Sequence, residues 1–122
     1  MVTARKTLVI GASEKVERYS NMAIKLLRSM DIETIAIGSK PGLVRDVNIQ
    51  TGQPAFESVD TVTLYLNPVR QKPYYDYILS LVPRRIIFNP GTENEELAEI
   101  AKSNGIEALE ACTLVLLKTG NY

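Results

Sequence analysis

The stretch "KTLVIGASEKVERYSNMAIKLLRSM", residues 6–30, contains an apolar run, Thr7–Ile10, that breaks at Gly11 and gives way to a polar detour. Beyond the detour, Met22, Ala23, Leu26, Leu27 and Met30 recur at helical spacing, which predicts an amphipathic helix with Ser20 as its N-cap. Leu8-Val9-Ile10 does not alternate with polar residues, so the strand is expected to be covered on both faces, as in the centre of a parallel sheet. A strand, a glycine turn and a returning helix form the first half of a βαβ unit.

The rest of the chain repeats the pattern. Thr34–Ile37 and residues 62–66, 86–88 and 106–111 read as further strands. In "TENEELAEIAKSNG", Thr92 is the expected N-cap, with Glu95 three residues on and Gly105 as the stop. Another helix is expected to start near Pro73, bury Tyr74, Tyr75, Ile78 and Val82, and end at Pro83. Residues 42–60 read as a loop with one helical turn at 56–59, and Thr113–Lys118 as a short helix. Right-handed crossovers then build an α/β fold: a Rossmann-like, doubly wound, mainly parallel five-stranded sheet, β1 near its centre and helices on both faces.

At 122 residues, 45% hydrophobic and 23% charged, residues 1–122 are expected to form a single domain. Fourteen Lys and Arg balance fourteen Asp and Glu, so no overall field favours nucleic acid or a membrane surface, and an anion site must be local. No run reaches the roughly 18 apolar residues of a membrane span. Residues 1–6 are too short and polar for a signal peptide, and the expected location is the cytoplasm. Histidine is absent and Cys112 is the single cysteine, which argues against His-based catalysis, a disulfide framework and a multi-cysteine metal site.

The loops that follow the strands carry the candidate chemistry. Gly11 stands where a nucleotide-binding fold needs a tight turn and close approach to a diphosphate. Ala12 and Ser13 follow it; Ser13 offers a hydroxyl, Lys15 and Arg18 offer charge, and the start of the helix offers N–H donors. The run departs from G-x-G-x-x-G, and an ordinary strand-to-helix turn explains it as well. NAD-binding sheets carry an acid after the second strand; here Lys40 occupies that zone and no acid follows until Asp46. A cation suits a phosphorylated ribose, as in NADP or coenzyme A (CoA), although a solvated lysine before the Pro41-Gly42 turn is the plainer reading. Asn67-Pro68 and Asn89-Pro90 break the third and fourth expected strands, either as simple turns or as the lining of a groove.

Taken together, "LVIGASEKVERYSNMAIKLL", "IGSKPG", "VTLYLNP", "IIFNPGTENEELAEIAKSNGIEAL" and "ACTL" resemble the small CoA-binding domain proteins, single-domain relatives of the CoA-binding part of succinyl-CoA synthetase. The resemblance covers nearly the whole chain. It implies a site for CoA or an acyl-CoA along the strand carboxyl ends. The diphosphate would lie at Gly11, Ala12 and Ser13, adenosine near Ser39, Lys40 and Pro41, and the groove would continue past Asn67, Pro68, Pro90 and Gly91. Larger acyl-CoA synthetases resembling this domain add an active-site histidine and a nucleotide-grasp portion, which this chain lacks, so the expected role is a nucleotide-ligand binding module without catalytic machinery. An unidentified enzyme partner would then supply the chemistry.

Two alternatives stay open: a small NADP-binding oxidoreductase, for which Tyr19, Tyr65 and Tyr74 are candidate proton donors, and an interaction domain that has lost its ligand. A homo-oligomer through Tyr74, Tyr75 and Tyr77 is a further expectation, although such rings at helical spacing also suit a core. Cys112 is expected near the ligand edge but inert, since no histidine is available to favour its thiolate.

Overall fold

The structure, a computed structural model, describes residues 6–122; residues 1–5, most of the segment considered above as a signal peptide, lie outside it. β1 (Thr7–Ile10) pairs in parallel with β2 (Thr34–Ile37) on one side and β5 (Thr61–Leu64) on the other, so that Val9 stands opposite both Ala36 and Thr63. β6 (Arg85–Phe88) and β7 (Glu107–Glu110) extend the sheet beyond β5, also in parallel. On the far side β2 pairs with β4 (Val47–Gln50), and β3 (Gly42–Val44) closes that edge antiparallel to β4. Among the described residues the sheet is therefore mixed and seven-stranded, in the order β3-β4-β2-β1-β5-β6-β7, and not the five-stranded sheet expected from the sequence.

The two additional strands lie in the segment expected to be loop. Val44, Val47 and Ile49 are buried while Leu43, Asn48 and Gln50 are exposed, the alternation of a strand covered on one face. Arg45 turns the hairpin at φ 53°, and Asp46 beside it is held by Arg28, whose Nε and Nη2 each donate at 2.9 Å. Residues 56–59 hold no helical turn, only a bend at Glu57 and Ser58.

Along β1 the side chains part to opposite faces. Leu8 and Ile10 join Val62, Leu64, Ile78, Leu97 and Ala101, whereas Val9 joins Ala36, Ile49, Ile24, Leu27 and Leu117. The first core is roofed by α3 (Tyr75–Leu81) and α4 (Glu95–Ser103), the second by α1 (Tyr19–Ser29) and α5 (Thr113–Lys118). Burial of these aliphatic side chains is the main stabilising contribution, about 1.5–3 kcal/mol for each large one before entropy is counted.

Several helix ends differ from expectation. α1 starts at Tyr19 with Arg18 in the cap position and no capping side chain, while Ser20 is buried in the first turn. Its covered stripe is Ala23, Ile24 and Leu27; Met22 and Met30 are exposed. The N-cap of α4 is Asn94, which accepts from the Leu97 N–H, and the Thr92 hydroxyl donates instead to the Asn89 carbonyl. Helix begins earlier than Pro73: Asn67 caps α2 (Pro68–Gln71), with proline in its first turn, and a 3₁₀ turn, Lys72–Tyr74, leads into α3. Val82 ends α3 in the left-handed conformation and is exposed, not buried.

Candidate functional site

After β1 the chain crosses to the face covered by α1, and after β5 it crosses to the opposite face through α2 and α3. The two strands are adjacent, so their following loops diverge and leave a crevice beyond the carboxyl ends, where open α/β sheets bind ligands. A cleft of about 680 Å³ occupies this place.

Its floor is the turn after β1. The N–H groups of Gly11 and Ala12 both donate to the Ile37 carbonyl at 2.9 Å, which draws the turn over the end of β2. Gly11 has φ 96°, and a Cβ there would meet the Tyr65 backbone at 3.0 Å. Its missing side chain thus makes room for Tyr65 and Leu66 in the loop after β5. Asn21, buried in α1, donates to the Ser13 carbonyl at 3.0 Å, and the Ser13 hydroxyl accepts from the Lys15 N–H at 3.1 Å, so the polar detour is held in shape. The uncapped start of α1 lines the cleft through Tyr19 and Ser20. First-turn N–H groups without intrahelical partners, together with the helix dipole, favour an anion there.

Ser39, Lys40 and Pro41 form the wall beyond β2. Glu14 reaches this wall from the first loop: its carboxylate accepts from the Leu43 N–H at 2.9 Å and lies against Gly42, where a Cβ would stand 2.5 Å from Cδ. Glu14 is the acid lining the cleft, and its charge is already engaged by backbone. The cations lining it are Lys15, Arg18, Lys40 and Arg70, all exposed and none in an ion pair among the described residues. The cleft is thus locally positive on a chain of zero net charge, as any local anion site on this chain would have to be.

The remaining wall comes from β5 and β6. Tyr65, Leu66, Asn67 and Arg70 face Pro90, Gly91 and Thr92 across the opening. Asn89 ties the ends of the two strands, donating to the Thr63 hydroxyl at 2.7 Å and the Leu64 carbonyl at 2.9 Å while accepting from the Thr113 N–H at 2.9 Å. The Tyr65 hydroxyl is buried with no hydrogen-bond partner among the described residues. Burial pushes it up to about 12.

The cofactor-binding residues expected from the sequence line this one cleft, with the exception of Pro68, which is occupied in starting α2; Tyr74, a candidate proton donor, does not line it. Sequence reasoning missed Glu14, Ser20, Leu66, Arg70 and Thr92 as lining residues, and named Tyr19 and Tyr65 only as candidate proton donors. Most are neighbours of residues it named. Arg70 was the legible omission, since helix capped by Asn67 places it one turn beyond the strand end. Cys112 is half-buried at the cap position of α5 and is not among the lining residues.

The family model of the CoA binding domain matches residues 5–118. The chain belongs to the CoA binding domain family. A crystal structure of an uncharacterized protein is 50% identical, covers 99% of this chain and all of its own, and superposes with a TM-score of 0.95. A hypothetical protein from Pyrococcus horikoshii OT3 is similar in fold at 19% identity, with a TM-score of 0.86 over 95% of this chain and 83% of its own. A conserved hypothetical protein from Pyrococcus furiosus has a TM-score of 0.79 at 21% identity, over 91% of this chain and 97% of its own. Among curated proteins nothing matches. No helix among the described residues is long and apolar enough to cross a membrane.

Proposed function

We propose that residues 1–122 act as one binding module that holds CoA or an acyl-CoA in the cleft at the carboxyl ends of β1, β2, β5 and β6. The observation that carries this reading is the set of cations, Lys15, Arg18, Lys40 and Arg70, that line the cleft at the uncapped start of α1 and have no ion-pair partner among the described residues. CoA presents a diphosphate and a ribose phosphate to such a cleft. In this reading the diphosphate lies over Gly11 to Ser13 and the N-terminus of α1, the ribose phosphate reaches Lys40, and the pantetheine passes between the loops after β5 and β6.

The role is ligand capture, with any chemistry left to a partner enzyme. Support comes from the ionisable groups that line the cleft: cations, one carboxylate engaged by backbone, and two tyrosines, of which Tyr65 has a buried hydroxyl, pushed up to about 12, that is a poor proton carrier near neutral pH. Titration calorimetry with CoA and dephospho-CoA at low and high salt tests the reading. Binding of CoA that weakens as salt rises, and is weaker still for dephospho-CoA, is the expected result.

A further inference from the structure

Gln71 is fully buried, and its one amide joins the two walls of the cleft. Nε2 donates to the Leu66 carbonyl, in the loop after β5, and to the Thr92 carbonyl, in the loop after β6, each at 2.8 Å. Its orientation is set by a helix cap. Asn94 must present Oδ1 to the Leu97 N–H to cap α4, so its Nδ2 turns the other way, donating to Gln71 Oε1 and to the Tyr75 hydroxyl at 2.8 Å each. Gln71 Oε1 is therefore committed to Asn94, and Nε2 has only the two carbonyls to serve. The Tyr75 hydroxyl donates onward to Glu96 at 3.0 Å, so two hydrogen-bonded chains diverge from Asn94 Nδ2, one to the cleft wall through Gln71 and one to the helix surface.

We infer that Gln71 is a positioning residue that fixes the separation of the Leu66 and Thr92 loops, and so determines how well the cleft holds the part of the ligand beyond its diphosphate. Nothing in the sequence marks it, because a glutamine in a polar run reads as surface. The inference rests on the proposed CoA site. A fully buried amide bridging two loops that both line a cleft does more than fill the core. Without it, two carbonyls on opposite loops would lose their common donor and each would seek water separately.

The test compares two ligands. Adenosine 3′-phosphate 5′-diphosphate carries the charged portion of CoA and lacks the pantetheine, so it does not pass between the loops after β5 and β6. Gln71→Met keeps length and removes both the donor and the acceptor. Asn94→Asp keeps the cap on α4 but replaces the donor facing Gln71 by a second acceptor, which turns Gln71 round and withdraws Nε2 from the loops. In both variants affinity for CoA is expected to fall about tenfold, with affinity for the fragment unchanged within about twofold. An equal loss for both ligands, or no loss for either, in folded Gln71→Met overturns the inference. If that variant does not fold, the same two outcomes in Asn94→Asp decide. Wild-type protein that binds neither ligand overturns the CoA site itself, and the inference with it.

Discussion

A Cβ on Gly38 would stand 2.4 Å from the carbonyl oxygen of Ala12 and 2.9 Å from the Ile49 side chain. The floor of the cleft is therefore a backbone-on-backbone contact between the turn after β1 and the end of β2, and it exists because residue 38 has no side chain. Gly38→Ala is expected to push the turn outward and cost about 1–3 kcal/mol of stability, read from the midpoint of urea unfolding. It should also weaken CoA binding, because the displaced turn carries Ser13 and the start of α1. An unchanged midpoint would show that the turn yields freely.

Lys40 stands on the wall beyond β2 with no ion-pair partner among the described residues. Lys40→Ala is expected to erase most of the preference for CoA over dephospho-CoA. A charge-assisted contact is worth about 1.5–3 kcal/mol, and the exposure of this wall points to the lower end. Arg70→Ala should weaken both ligands alike, since Arg70 lies across the cleft from Lys40's loop. Calorimetry with the two ligands checks both variants. Equal losses for the two ligands in Lys40→Ala would place the ribose phosphate elsewhere.

At the opposite end of the sheet, Asp60 accepts from Arg84 at 3.0 and 3.2 Å and from the Thr61 hydroxyl at 2.7 Å. Burial works against its ionisation, but these hydrogen bonds outweigh it and hold the carboxyl below the ordinary value of 3.8. A carboxyl with a depressed folded-state pKa contributes stability that is present above its unfolded pKa and is lost as pH falls through the folded value. Stability from this pair should thus persist to below pH 3.8. In Arg84→Gln burial is opposed only by the Thr61 hydroxyl and the charge of Arg85, so acid unfolding should begin at a higher pH than in the wild type. Superimposable acid unfolding curves would contradict the pairing.

The central strands were legible because Leu8-Val9-Ile10 and Ile86-Ile87-Phe88 are continuous apolar runs, a pattern that local chemistry alone produces in a sheet covered on both faces. The β3-β4 hairpin was not. Gly42, Gly52 and Pro54 signalled loop, and the Arg45-Asp46 turn lacks the Asn-Gly or Asp-Gly signal, its shape being supported instead by Arg28 from α1. Val44, Val47 and Ile49 did carry the alternation that would have revealed it. The caps of α1 and α4 were misread for a related reason. Serine and threonine are good caps in isolation, but Ser20 is drawn into the helix and the Thr92 hydroxyl is claimed by Asn89. Which loops share the cleft followed from topology and was legible. The role of Gly11 was only half so, because the neighbour that requires its missing side chain, Tyr65, is 54 residues away along the chain.

The most direct measurement is a thermal unfolding series with CoA, NADP, NAD and ATP side by side, each at millimolar concentration. A ligand that binds only the folded protein stabilises it by RT ln(1 + [L]/Kd), about 2.7 kcal/mol when present at 100 times its Kd. CoA is expected to raise the midpoint most, with smaller shifts from the other nucleotides. No shift with millimolar CoA, or a larger one with NADP, would contradict the account.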